Sequence, residues 1–346
     1  MKALVIHNPA AGQRDKAEEI TQIVEYLRVQ GWEVAGVEQT HGHGDATTYA
    51  RRAVTLGCDV VFAAGGDGTL AQVANGLVNS ETALGVLPAG TGNVMARQLG
   101  LPVSGSLWPQ PLLNCVHLLL DGQARRIDVG RVRLAGDRLT HHFLCWGGVG
   151  FDAQVNLLVN EELDRKHRLG ILAFVVAGIL TLRDYAGTGA IVKADGKRIR
   201  RRLIMLVANN IQLYGAFMKM APRAVLDDGL LDIYCFRGRG AARTILHTLR
   251  LFTSRHLQDP EVDIYRAQRL EIRTARPLPV HVDGEPIGFT PAVIDVIPQA
   301  LRLLVPPGAP VTLFRGAAVQ EEPDMPGAAG RTADRGRVRR HPRERV

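Results

Sequence analysis

The segment Ala63-Ala64-Gly65-Gly66-Asp67-Gly68-Thr69-Leu70 constrains this chain more than any other: three glycines surround a carboxylate directly behind an apolar run. An apolar run ended by glycines reads as a buried strand handing over to a helix. Glycine lets the backbone approach an anion closely, and the free amides of a helix start favour negative charge. An aspartate among them would repel a bare phosphate, unless it holds Mg²⁺ or takes a proton from an acceptor group. Taken alone, the segment also fits a plain turn whose Asp67 and Thr69 cap the helix.

Three more loops share the pattern. Asn8-Pro9-Ala10-Ala11-Gly12 follows the apolar run 3–7, Thr40-His41-Gly42 follows 34–39, and Pro88-Ala89-Gly90-Thr91-Gly92-Asn93 follows 83–87. Ile20, Ile23, Val24 and Leu27 sit at helical spacing, and 45–56 reads as a second helix. Strands and helices alternating at this spacing predict a doubly wound parallel α/β sheet, whose ligands gather beyond the carboxyl ends of the strands. All four loops then belong on one sheet edge, as a cradle for phosphates.

Past Asp128 the texture changes. Short apolar runs are broken by Ala135-Gly136-Asp137, Asp195-Gly196, Asp228-Gly229 and Asp283-Gly284, the punctuation of antiparallel strands. Helical stretches are expected at 161–184 and 240–256. Beyond Leu313 few large apolar residues remain, and seven arginines between 331 and 345 stand against Asp334 and Glu344, so a disordered basic tail is expected. A chain of 346 residues is expected to divide, into an α/β domain over residues 1–127, an antiparallel β domain over 128–314 and the tail over 315–346.

At these residues the chain resembles the diacylglycerol kinase catalytic-domain family, which includes sphingosine kinases and bacterial lipid kinases. The resemblance rests on Asn-Pro-x-x-Gly at 8–12, Gly-Gly-Asp-Gly-Thr at 65–69, Gly-Thr-Gly-Asn at 90–93 and Gly-x-Gly-Phe-Asp-Ala at 148–153. It rests also on the run from Ala221 to Asp232 and on Val-Asp-Gly-Glu at 282–285. It implies a phosphofructokinase- or NAD kinase-like α/β domain that binds ATP, and a β-sandwich domain for a lipid substrate. By this resemblance Asn8, Thr40, Gly65, Gly66, Asp67, Gly68, Thr69, Thr91 and Asn93 contact the nucleotide, with Asp67 beside the transferred phosphoryl group. Glu285, supported by Asp283, is the implied base for the acceptor hydroxyl. The family's relatives divide that role differently between the two acidic loops, so it stays open between Asp67 and Glu285; Asp283-Gly284 is equally a hairpin turn. The turn 227–229 is similar to a structural Mg²⁺ loop, which implies Asp228 as carboxylate ligand and Val225 and Leu230 as carbonyl ligands. The alternative is a turn without metal. Asp128 either joins this carboxylate network or caps. The chain departs from the family at Gln72, Val94 and Ala11, where glutamate, aspartate and serine are usual. The missing carboxylate at 94 counts against diacylglycerol itself as acceptor.

A formal charge of +8 favours anionic partners without choosing among them. Aromatics at 5% and the lack of a helix-turn-helix disfavour nucleic acid. Cys58, Cys115, Cys145 and Cys235 form no CxxC pair, which fits a reducing cytoplasm. The apolar start reads as too short for a signal peptide and the apolar run 169–182 as too short to span a bilayer, so peripheral contact with the inner membrane face is expected. That run, flanked by Arg165, Lys166, His167, Arg168 and Arg183, reads as a buried helix or the wall of a lipid pocket. The cluster Lys197, Arg198, Arg200, Arg201 and Arg202 either attracts anionic headgroups or guards a solvated edge. His41 and His43 read as loop residues. Two rival functions stand beside the lipid kinase: an NAD kinase-like or other small-molecule kinase, and a non-catalytic binder of anionic lipid or nucleic acid. Assembly into a homodimer is left open.

Overall fold

Four apolar runs become the parallel strands β1 (Lys2–His7), β2 (Glu33–Gln39), β3 (Val60–Gly65) and β4 (Ala83–Pro88), in the order β2-β1-β3-β4. The structure is a computed structural model that describes residues 1–12, 16–103, 110–137, 139–158, 187–215 and 217–315. β3 and β4 are buried along their whole length, as central strands of a parallel sheet must be. β2, on the edge, alternates exposed and half-buried residues instead. Helix α1 (Ala17–Val29) buries Ile20, Ile23, Val24 and Leu27, the face its spacing predicts. α2 (Asp45–Thr55) presents Ala46, Ala50 and Ala53, and α3 (Asp67–Leu77) approaches it so closely that a Cβ on Gly76 would lie 2.5 Å from Ala50 Cβ. α3 begins at Asp67, two residues before Thr69, where a helix starting only after the last glycine of the loop would begin. The extended Gly66 makes the turn, and a carboxylate in the first turn meets the positive end of the helix dipole. α4 (Val94–Gln98) and α5 (Pro111–Leu120) complete this half.

The rest of the described chain is mostly strand: β5 (Gln123–Leu134), β6 (His141–Phe143), β7 (Trp146–Gly150), β8 (Thr188–Ala194), β9 (Lys197–Asn209), β10 (Leu213–Tyr214) and β11 (Met218–Lys219). β12 (Leu231–Arg237), β13 (Val262–Ala267), β14 (Arg269–Thr274), β15 (Pro279–Val282), β16 (Glu285–Phe289) and β17 (Ala292–Val305) follow. Two helices interrupt them, α6 (Phe151–Leu158) and α7 (Gly240–Phe252). α7 stops short of the expected 256, because Ser254 turns left-handed (φ 55°) before a 3₁₀ turn at Arg255–Gln258. Every pairing in this half is antiparallel. Asp195-Gly196 and Asp283-Gly284 are two-residue hairpin loops with positive φ at both positions, as their sequences predict.

β17 joins the halves. Its first stretch pairs with β14, its second runs parallel to β4, and β5 pairs along nearly all of it. Fifteen strands thereby form one continuous sheet among the described residues. A core around Val132, Phe143, Leu206, Ile272 and Ile294 fills the antiparallel half, apart from the larger core of the α/β half. The helix expected at 161–184, with its basic flanks, and the tail from 316 lie outside the described residues. Among the described residues no helix is long and apolar enough to cross a membrane.

Candidate active site

The four glycine-bearing loops meet at the carboxyl ends of the parallel strands. A Cβ on Gly90 would lie 2.5 Å from Gly66 Cα, and one on Gly12 (φ 80°) would lie 2.2 Å from the Ala89 carbonyl oxygen. Backbone therefore touches backbone, and glycine alone permits that spacing. Asn8 Nδ2 donates to Thr69 Oγ1 at 2.9 Å, the Ala89 amide donates to the Gly65 carbonyl at 3.0 Å, and the Thr40 amide donates to the His7 carbonyl at 2.9 Å. Asn93, left-handed at φ 51°, exchanges two hydrogen bonds with Gly90. All nine residues expected at a nucleotide thus lie on one edge. Asn8 and Thr69 spend their side chains tying two loops together and Asn93 braces its own loop, while Gly68 and Thr91 stand exposed.

Asp67 locks two of these loops. Its Oδ1 accepts the Val94 amide at 2.7 Å, capping α4, and its Oδ2 lies where a Cβ on Gly92 would come within 2.7 Å. Burial raises its pKa against the pull of the amides of Val94, Met95 and Asn93. The Val94 side chain points into the core at 3% exposure.

The second acidic loop faces the first. Asp283 accepts the amides of Leu144, Cys145 and Trp146 at 2.7 to 2.9 Å. Burial nonetheless pushes its carboxyl up to about 6, and the negative charge of Asp67 pushes the same way. Glu285 reaches across to His43, Nε2 to Oε1 2.7 Å. His43 is itself held by its neighbours: the amides of His41 and Gly42 donate to Asp45 Oδ2, and the Gly44 amide donates to Gln72 Oε1 at 3.0 Å. Gln72 is one of the departures from the family pattern, and here it fastens the histidine loop onto α3. His43 escaped sequence reasoning as a site residue, although its place behind β2 on the loop edge was a usable signal.

Around the third acidic turn, Asp228 Oδ1 accepts the Leu230 amide at 3.0 Å and Oδ2 pairs with Arg266, which also reaches Asp232 at 3.4 Å. Asp128, fully buried, accepts the amides of Gly229 at 2.6 Å and Gln299 at 2.8 Å, so it belongs to the network of this turn. Burial raises the Asp128 carboxyl's pKa, and Asp228 and Asp227 add to the rise. One carboxylate and the main-chain carbonyls of Val225 and Leu230 are donors of the kind magnesium takes, and the crowded acids favour a cation. Arg266 already supplies part of that charge. Among the described residues no group of three or more His, Cys, Asp or Glu is arranged to hold a metal ion.

Comparison with known proteins agrees with this architecture. Residues 2–132 match the diacylglycerol kinase catalytic domain, and residues 147–305 match the YegS C-terminal NAD kinase beta sandwich-like domain. The chain is 31% identical to a probable lipid kinase YegS-like protein of Pseudomonas fluorescens over 313 residues, covering 90% of this chain and 97% of that one. It is 27% identical to a diacylglycerol kinase of Bacillus subtilis over 307 residues, covering 88% and 96%. A crystal structure of a diacylglycerol kinase from Bacillus anthracis superposes with a TM-score of 0.65 at 21% identity, covering 89% of this chain and 98% of that one, and shows a shared fold.

Proposed function

The chain belongs to the diacylglycerol kinase catalytic-domain family of lipid kinases, and from that premise we propose that it transfers the γ-phosphoryl group of ATP to the hydroxyl of a diacylglycerol-like or sphingoid-like lipid. The reading is carried by one observation: Glu285 meets, through His43, the same loop edge on which Asp67 sits. The amides of Gly66 and Gly68 and the start of α3 offer a positive field for the phosphates. Asp67, half-buried and with Oδ1 taken by the Val94 amide, orients the phosphate loops and adds a fixed charge. Glu285 is half-exposed and has one oxygen without a protein partner among the described residues, so it suits the role of base that takes the lipid hydroxyl's proton. Positioning and charge neutralisation are most of what phosphoryl transfer needs.

Magnesium would be held by the Asp228 carboxylate and the carbonyls of Val225 and Leu230, and would neutralise the acids of that turn. Millimolar MgCl₂ is then expected to raise the melting temperature of the wild type. Asp228→Asn is expected to melt lower and to lose that increment. Identical melting with and without MgCl₂ would discard the structural ion.

Contact with an anionic membrane is supported by one face of the antiparallel sheet. Residues paired across strands share a face, so Arg198, Arg200 and Arg202 of β9 lie beside Lys193 of β8 and Arg273 of β14. Arg200, Arg202 and Arg273 rim a depression of about 570 Å³ floored by Gly189, Ile191 and Ala275. These three arginines have no acidic partner among the described residues, whereas Arg131, Arg133 and Arg269 share Asp295. Each cation near an anionic surface adds about 1 kcal/mol. One assay tests the whole reading: labelled ATP with diacylglycerol or a sphingoid base in phosphatidylglycerol or phosphatidylcholine vesicles, and with NAD. Label in lipid, with sedimentation on the anionic vesicles that Arg200→Glu and Arg273→Glu weaken, is the expected result. Label in NAD alone would move the chain to the rival class of kinase.

A further inference from the structure

Two buried polar side chains, His281 and Asp152, and the half-buried Tyr214 lie behind the turn that carries Glu285. His281, on β15, has no exposed surface. Its Nε2 is 2.9 Å from Asp152 Oδ2, and its Nδ1 accepts the Gly284 amide at 3.1 Å. A main-chain N–H can only donate, so Nδ1 carries the lone pair and the ring proton sits on Nε2, aimed at Asp152. Asp152, in the first turn of α6, accepts the Tyr214 hydroxyl at 3.1 Å on Oδ2 and the Ala153 amide at 2.9 Å on Oδ1. Burial and the Asp152 charge push the Tyr214 phenol far up, so its hydroxyl remains a donor. Gly148 makes the room: a Cβ there would fall 2.0 Å from His281 Nε2 and 2.4 Å from Asp152 Oδ2. The glycine and aspartate of the 148–153 motif thus serve one histidine, 129 positions from Asp152.

We propose that His281 is a positioning residue for Glu285, kept by Asp152 and Tyr214 in the neutral Nε2–H tautomer so that Nδ1 anchors the 283–285 turn through the Gly284 amide. This role rests on the kinase reading above. The turn is pinned on two sides, with Asp283 on the amides of 144–146 and Gly284 on His281. Glu285 is the next residue, so any rotation of the turn carries its carboxylate with it. Displacing a reacting group by about 1 Å costs on the order of 100-fold in rate.

Asp152→Asn tests the anchor. The Oδ1 position must go on accepting the Ala153 amide, so the new amide nitrogen falls on the His281 side and donates to Nε2. The ring proton then moves to Nδ1 and opposes the Gly284 N–H. The imidazole ¹⁵N shifts should report the exchanged tautomer, the Gly284 amide should exchange faster with solvent, and kcat should fall roughly 10- to 100-fold with KM for ATP unchanged. His281→Asn keeps an acceptor at the Nδ1 position and should retain most of kcat. His281→Gln keeps only the donor toward Asp152 and should lose it. A switched tautomer with full kcat, or equal losses in the two histidine variants tracking a common fall in melting temperature, would overturn the proposal. A wild type that phosphorylates no lipid would sink the kinase reading separately. The anchor is then decided by amide exchange alone, and unchanged Gly284 protection in Asp152→Asn would refute it.

Discussion

Asp67→Asn is expected to lower turnover about 10²- to 10³-fold while the protein melts close to the wild type. Asparagine keeps an oxygen for the Val94 amide, so α4 stays capped and the two loops stay joined. What disappears is a negative charge held in place against burial. A carboxylate kept at that cost inside a cleft is the arrangement of a working group more often than of a structural one. Binding of ATP should be unchanged or tighter, since an anion beside the phosphates is gone. Asp67→Ala should abolish transfer as well, but it also unties α4 and is the less clean variant. Turnover close to wild type in Asp67→Asn would remove this residue from the chemistry.

Glu285→Gln is expected to cost roughly 10²- to 10⁴-fold in kcat, the usual range for a lost general base. The change is nearly isosteric. The hairpin it follows is built from Asp283, Gly284 and His281, and none of these contacts uses the Glu285 side chain. Affinity for ATP should not move, because the nucleotide loops lie on other strands. If kcat barely drops, the proton goes elsewhere, and Asp67 becomes the candidate base.

Asp67 was legible in the sequence for the same reason that the loops were, whereas Glu285 came forward only through the family resemblance. A strand followed by glycines and a helix start is a local pattern, set by backbone torsions and apolar runs over ten residues. Gly65 to Thr69, Gly90 to Asn93 and the hairpin at Asp283-Gly284 all sit where such patterns put them. An aspartate between glycines fits a loop and a first helical turn equally well, and Asp67 stands in the helix. At position 94, where the family pattern has a carboxylate, the valine of this chain faces the core.

From composition, periodicity and loop chemistry alone followed an α/β half with glycine-rich loops on one edge, an antiparallel half, and the two acidic turns. Each of these depends on neighbours in the chain. Tertiary structure alone decided that His43 meets Glu285 from 242 residues away, that Arg266 answers Asp228, and that Asp152 and Tyr214 hold His281 behind the turn. The first of these contacts spans the two halves that β17 draws into one sheet, and the others join elements of the antiparallel half that are distant in sequence. A hydrogen bond a few ångströms long carries no trace in the spacing of residues that far apart.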